Sequence, residues 1–152
     1  MSRILFVYLH DSSRSQMAEA FLNLFGEGKF EAESAGLEKG TLSPHALQVM
    51  QEIGIDLSRN EPKEIFELFR QGRHYNAVIS LCDQTNGEKS PLYPGMTQRI
   101  SWSFSDLSRF TGTEEEILEK IRAVRDGIKE KVLEFIEQAS DTTFWLTEQL
   151  RN

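Results

Sequence analysis

Two hydrophobic periodicities take turns along this chain, and that alternation limits its fold more than any other feature. Short apolar runs at Arg3–Leu9, Phe30–Ala35, His74–Cys82 and Arg99–Phe104 read as strands. The first and third are nearly continuous, as expected where both faces of a strand are buried. Between them lie segments of helical spacing. Arg14–Phe25 carries Met17, Ala18, Phe21, Leu22, Leu24 and Phe25 as an apolar stripe that ends at Gly26. Ser43-Pro44 is a helix start, a capping hydroxyl followed by proline at the first helical position, and that helix ends at Gly54. Asn60–Arg70 reads as a further helix. Thr113 with Glu116 forms a capping box that opens the longest helix, to about Gln138. Strand and helix in alternation imply an α/β fold around a mostly parallel sheet.

The chain of 152 residues suits one domain with a full core, over residues 1–140, followed by a tail at 141–152. Phe144, Trp145 and Leu146 in that tail dock on the body or on a second subunit, so a homodimer is among the arrangements it allows. Lys and Arg number 17 against 24 Asp and Glu, a net charge of −7, which argues against general nucleic-acid binding. No apolar run approaches the ~20 residues of a membrane span. The N-terminal run turns polar at His10 and is too short for a signal-peptide core. The single cysteine, Cys82, excludes an internal disulfide and a cysteine-based zinc site, and makes the cytoplasm the default compartment. His10, His45 and His74 are dispersed without ligand spacing, so no metal is expected.

Ligands of such sheets bind beyond the carboxyl ends of the strands. That points to Tyr8–Ser15, Cys82–Asn86 and Trp102–Asp106. The loop Leu9, His10, Asp11, Ser12, Ser13, Arg14 and Ser15 joins a buried strand to a helix. Its backbone N–H groups and the helix start can form an anion nest, and Arg14 can add a planar bidentate donor. A plain strand-to-helix loop with a surface arginine is the other reading of these residues.

Ile4-Leu5-Phe6-Val7 followed by Arg14-Ser15-Gln16-Met17-Ala18-Glu19-Ala20-Phe21 resembles the start of the thioredoxin-coupled arsenate reductases, which share the low-molecular-weight protein tyrosine phosphatase fold. Ser34-Ala35-Gly36, Gly54-Ile55-Asp56-Leu57-Ser58, Val78-Ile79-Ser80-Leu81-Cys82, Trp102-Ser103-Phe104-Ser105-Asp106 and Val124-Arg125-Asp126-Gly127-Ile128 follow in the family's order. The resemblance implies a three-layer α/β sandwich with a four-stranded parallel sheet. It also implies a cysteine nucleophile six residues before Arg14, oxyanion binding by Arg14 and the loop, and Asp106 as general acid. Cys82 falls at the position of the second redox cysteine. No cofactor is implied.

The sequence departs from that pattern where the chemistry resides. Tyr8 stands at the nucleophile position and Ser90 at that of the third redox cysteine. A phenol of reference pKa about 10 is a poor substitute for a lowered-pKa thiolate. One thiol supports no disulfide relay, so thioredoxin is not expected as a partner. Asp11 adds a negative charge to the loop; like charges ~4 Å apart repel by about 4 kcal/mol at an effective dielectric near 20. The expected protein is a binding or regulatory relative whose ligand is a small oxyanion such as phosphate, arsenate or sulfate, a peptide, or another copy of the chain. The alternative is a weak or modified phosphatase or arsenate reductase using Arg14 and Asp106. Each role has a structural counterpart: Tyr8 filling a retired pocket, Cys82 as a small core residue, Asp106 as a helix cap and His10 on the loop surface.

Overall fold

The computed structural model describes residues 1–145 apart from Lys39, Pro62, Met96 and Thr97. The strands are β1 Ser2–Tyr8, β2 Phe30–Gly36, β3 Lys63–Glu64, β4 Ala77–Ser80 and β5 Gln98–Ser101. The helices are α1 Ser13–Phe25, α2 Pro44–Gln51, α3 Ile65–Arg70 and α4 Glu114–Ala139. Among the described residues the sheet has the order β3-β2-β1-β4-β5, and every pairing is parallel. This is the expected α/β sandwich, with five strands rather than four. The additional strand is only two residues long, paired with Ala35 and Gly36 at the sheet edge. Two residues carry no periodicity by which to find them.

Side chains of β1 alternate between two cores, as the pleat requires. Ile4 and Phe6 join Met17, Phe21, Met50, Ile121 and Ile128 on the α1, α2 and α4 side. Leu5 and Val7 join Ile65, Leu68, Tyr75, Val78 and Tyr93 on the α3 side. The central strand is therefore buried on both faces, and its C-terminal end is held firmly where the loop begins.

Both helix starts read from capping residues are present. The Ser43 hydroxyl accepts from the N–H groups of His45 and Ala46, with Pro44 at the first position. Thr113 and Glu116 cap α4 reciprocally. Two expectations need correction. Asn60–Arg70 is not one helix: a 3-10 turn covers Leu57–Arg59, β3 follows, and only Ile65–Arg70 is helical. Pro62 lies inside the expected helix, and a proline biases its predecessor towards extended backbone. The stripe of α1 also stops short, because Leu24 and Phe25 are exposed. Phe25 instead stacks on Phe21 at 6.1 Å and lies under the Lys129 ammonium.

The tail docks on the body as far as it is described. Phe144 meets Phe135 edge-on, the Trp145 indole N–H donates to the Ala139 carbonyl, and the Trp145 carbonyl accepts from Gln98. Leu146 lies outside the described residues.

Candidate active site

The C-terminal ends of β1 and β4 and the segment after β5 converge on Arg14. This residue sits in the first turn of α1, and its side chain is 5% exposed. Nη1 donates to the Leu81 carbonyl at 2.9 Å and to the Phe104 carbonyl at 2.9 Å. Both Nη atoms also donate to the Glu88 carboxylate, at 2.8 and 2.7 Å. The guanidinium that the sequence offers to an oxyanion thus already holds a carboxylate of its own chain, in the bidentate fork that suits either anion. Burial works against the Arg14 charge, and the Glu88 pairing more than offsets it, so the guanidinium pKa is raised. The Arg14 hydrogen bond holds the Glu88 carboxyl below its usual range, with burial opposing. The Asp83 N–H donates to the same carboxylate.

The loop is closed on itself in the same manner. Asp11 Oδ1 accepts from the Ser13 N–H at 2.8 Å, placing a carboxylate on a donor that an anion nest would present. The Ser12 N–H donates to the Thr41 carbonyl, and the Thr41 N–H to the His10 carbonyl, so the loop is zipped to the chain entering α2. Hydroxyls behave alike: Ser12 donates to Thr41, Ser13 accepts from the Ser43 N–H, and Ser15 donates to Val7. The space left among Tyr8, Leu9, Asp11, Arg14, Cys82 and Glu88 is about 10 Å³. That holds roughly one water and no tetrahedral oxyanion.

Tyr8 is buried at the end of β1, where its ring lies across Gly36 and Gly40. A Cβ at Gly36 would stand 2.3 Å from the ring, and one at Gly40 2.4 Å. These two glycines make room for an aromatic side chain here. The phenol oxygen accepts from the Gly40 N–H at 3.3 Å. Burial raises the phenol pKa, the Gly40 bond opposes this, and the charges of Glu19 and Glu64 add to it. A phenol held neutral in this way is not an activated nucleophile. Tyr8 walls the remaining cavity, and the group in the fork of Arg14 is Glu88.

Asp106 lies near Arg14, and its carboxylate caps the following 3-10 turn, accepting from the Ser108 N–H at 3.0 Å and the Ser108 hydroxyl at 2.9 Å. Cys82, though on another strand end than the loop, lines the same small cavity. Burial pushes its thiol up and Glu88 adds to this, while a hydrogen bond with Ser90 and the Arg14 charge oppose. The two positions that the family resemblance assigns to the redox pair are therefore neighbours, with a single sulfur between them. His10 is exposed on the loop.

The residue that sequence reasoning missed is Glu88. It stands in a loop read as surface between Asn86-Gly87 and Pro91, 74 positions from its arginine. Nothing local marks one loop carboxylate as a partner for Arg14.

Residues 3–152 match the family described as low molecular weight phosphotyrosine protein phosphatase. The chain belongs to this family. It is 35% identical over 134 residues to an arsenate reductase of Bacillus subtilis (strain 168), covering 88% of this chain and 94% of that protein. It is 37% identical over 145 residues to a glutaredoxin arsenate reductase of Synechocystis sp., covering 92% and 100%. A solved arsenate reductase in the reduced state superposes with a TM-score of 0.70 at 32% identity, covering 91% of this chain and 99% of the other. A low molecular weight protein tyrosine phosphatase from T. tengcongensis, at 23% identity and a TM-score of 0.67, shares the fold.

Proposed function

We propose that this member of the phosphatase and arsenate reductase family works without the cysteine-based reaction, as a binding or regulatory module. The observation that carries the reading is the pair of occupants at the site: Tyr8 at the nucleophile position and Glu88 on Arg14. A neutral, buried phenol supplies no thiolate. The one thiol of the chain, Cys82, has no second sulfur with which to pass oxidation to thioredoxin. Asp106, the candidate general acid, is engaged as a cap. The ligand class that best fits the retained arginine is a small oxyanion, phosphate, arsenate or sulfate. The acidic balance of the chain speaks against nucleic acid, and among the described residues no helix is long and apolar enough to cross a membrane. A cytoplasmic location belongs to the same proposal.

The test is turnover. Purified protein is assayed for p-nitrophenyl phosphate hydrolysis and for arsenate-dependent NADPH oxidation with thioredoxin and its reductase. No rate above a protein-free control is expected in either assay. A rate that Tyr8→Phe or Cys82→Ser abolishes overturns the reading and restores an enzyme.

A further inference from the structure

Resting on the oxyanion reading above, we propose that Glu88 is a latch on the Arg14 loop: an internal carboxylate in the oxyanion position, which a tetrahedral anion must displace before it can bind.

The two partners of the pair differ in how firmly they are held. The Arg14 guanidinium is tied to the Leu81 and Phe104 carbonyls and is 5% exposed, so it stays in place when Glu88 leaves. The Glu88 side chain is 24% exposed and rides on the segment that follows the Gln84–Asn86 turn. That segment reverses at Gly87, whose φ is +71°, and the Glu88 N–H returns to the Asp83 carbonyl at 3.2 Å. A side-chain rotation at Glu88 therefore opens the site without moving a strand.

Departure of the carboxylate would release Nη2, while Nη1 keeps the Leu81 and Phe104 carbonyls, and would remove the acceptor that the Asp83 N–H has in Glu88. Arg14 Nε is already buried without a hydrogen-bond partner among the described residues. A buried guanidinium N–H left unpaired is costly, and it marks a donor that the latched state does not use. Nη2 and the unpartnered Nε lie on one edge of the guanidinium, a pair of donors suited to a phosphate-like anion. With the latch in place only about 10 Å³ remains, so carboxylate and oxyanion exclude each other. Asp11 remains beside the loop in either state, which keeps the unlatched affinity modest.

Calorimetric titration of inorganic phosphate into wild type, Glu88→Ala and Glu88→Gln reads the latch directly. An apparent affinity falls in proportion to the fraction of molecules that are competent to bind. Removing a charge-assisted bidentate pair is expected to tighten phosphate about ten- to a hundredfold in Glu88→Ala, and by less in Glu88→Gln, whose amide still reaches Arg14. Adding Arg14→Lys to Glu88→Ala should cancel the gain. Folded variants that bind phosphate within about twofold of wild type overturn the latch. If Glu88→Ala does not fold, Glu88→Gln carries the comparison. Wild type supplies a second readout that needs no variant: excess phosphate should shift the amide NMR signals of Asp83 and Glu88. Phosphate that shifts residues 9–15 while leaving those two unmoved also overturns it. These outcomes are separate from turnover, so the latch can fail while the non-catalytic reading stands, and the reverse.

Discussion

Glu19 offers a quantitative test of the packing behind the loop. It lies on α1, is 8% exposed, and its carboxylate accepts from the Ser34 hydroxyl at 3.4 Å. Burial pushes its pKa from 4.5 up to about 7, with Lys63 and the Ser34 hydrogen bonds opposing and Glu33 adding. The sign follows from proton counting. Between those two values the folded chain holds the proton and the unfolded chain has lost it, so stability falls as pH rises through that window. Below 4.5 both states are neutral at this site and nothing is lost. Above 7 both are ionised, and the folded state carries the full cost of a buried charge. At about 1.4 kcal/mol per pKa unit, the whole shift amounts to about 3 kcal/mol. Glu19→Gln keeps the shape and removes the charge. It should stabilise the protein by about 1 kcal/mol at pH 5 and about 3 kcal/mol at pH 8. For a chain of this size the latter is a rise in Tm of about 6–12 °C. Thermal unfolding of both proteins at the two pH values is the assay. A Tm difference between variant and wild type that is the same at pH 5 and pH 8 refutes the reasoning, because an effect of shape alone does not follow the proton.

Three further outcomes are expected. Gly36→Ala puts a Cβ 2.3 Å from the Tyr8 ring, so it should cost about 1–3 kcal/mol in urea unfolding, and most of that cost should vanish in the Tyr8→Cys background. Ser90 lowers the Cys82 thiol pKa and so stands near it, and Ser90→Cys should close a disulfide under mild oxidant; free-thiol titration then falls from two per chain towards none, and a titre that stays at two refutes the proximity. Thr113→Ala removes the hydroxyl that accepts from the Glu116 N–H at 3.2 Å, and should lower stability by about 1 kcal/mol, or about 2–4 °C in Tm.

What the sequence disclosed and what it hid divide along the range of the interactions. The buried strand β1, the proline start of α2 and the capping box of α4 are local patterns, written within a few neighbouring residues, and each is where it was expected. Strand β3 is too short to have a period, and its place is set by pairing with Ala35 and Gly36 rather than by its own residues. Arg14 was legible as a residue of the candidate site, since its position at a strand-to-helix turn is local. Its counterion was not, because Glu88 arrives from the loop after β4. Tyr8 was visible as a substitution, but its accommodation depends on two glycines that lie 28 and 32 positions further on; only the packing makes Gly36 and Gly40 part of the same feature.

Arg14 relates the loop that resembles the family's to the substitution at Tyr8. A guanidinium this deeply buried needs a counter-charge, for an unpaired ion in the interior costs several kcal/mol. Where such a loop takes an oxyanion, the ligand can supply that charge. Here Glu88 supplies it, Asp11 supplies a second carboxylate to the loop's own N–H, and Thr41 satisfies another backbone donor. The folded chain is then complete without a ligand, and any anion must compete with groups whose effective concentration is that of an intramolecular contact. Arg14 also joins three segments, through Leu81 after β4, Phe104 after β5 and Glu88 in the intervening loop. An arginine at this position is accordingly accounted for by what it holds together, whether or not the site turns over a substrate. Its presence alone is no sign of catalysis; the group that occupies its fork decides what the site can do.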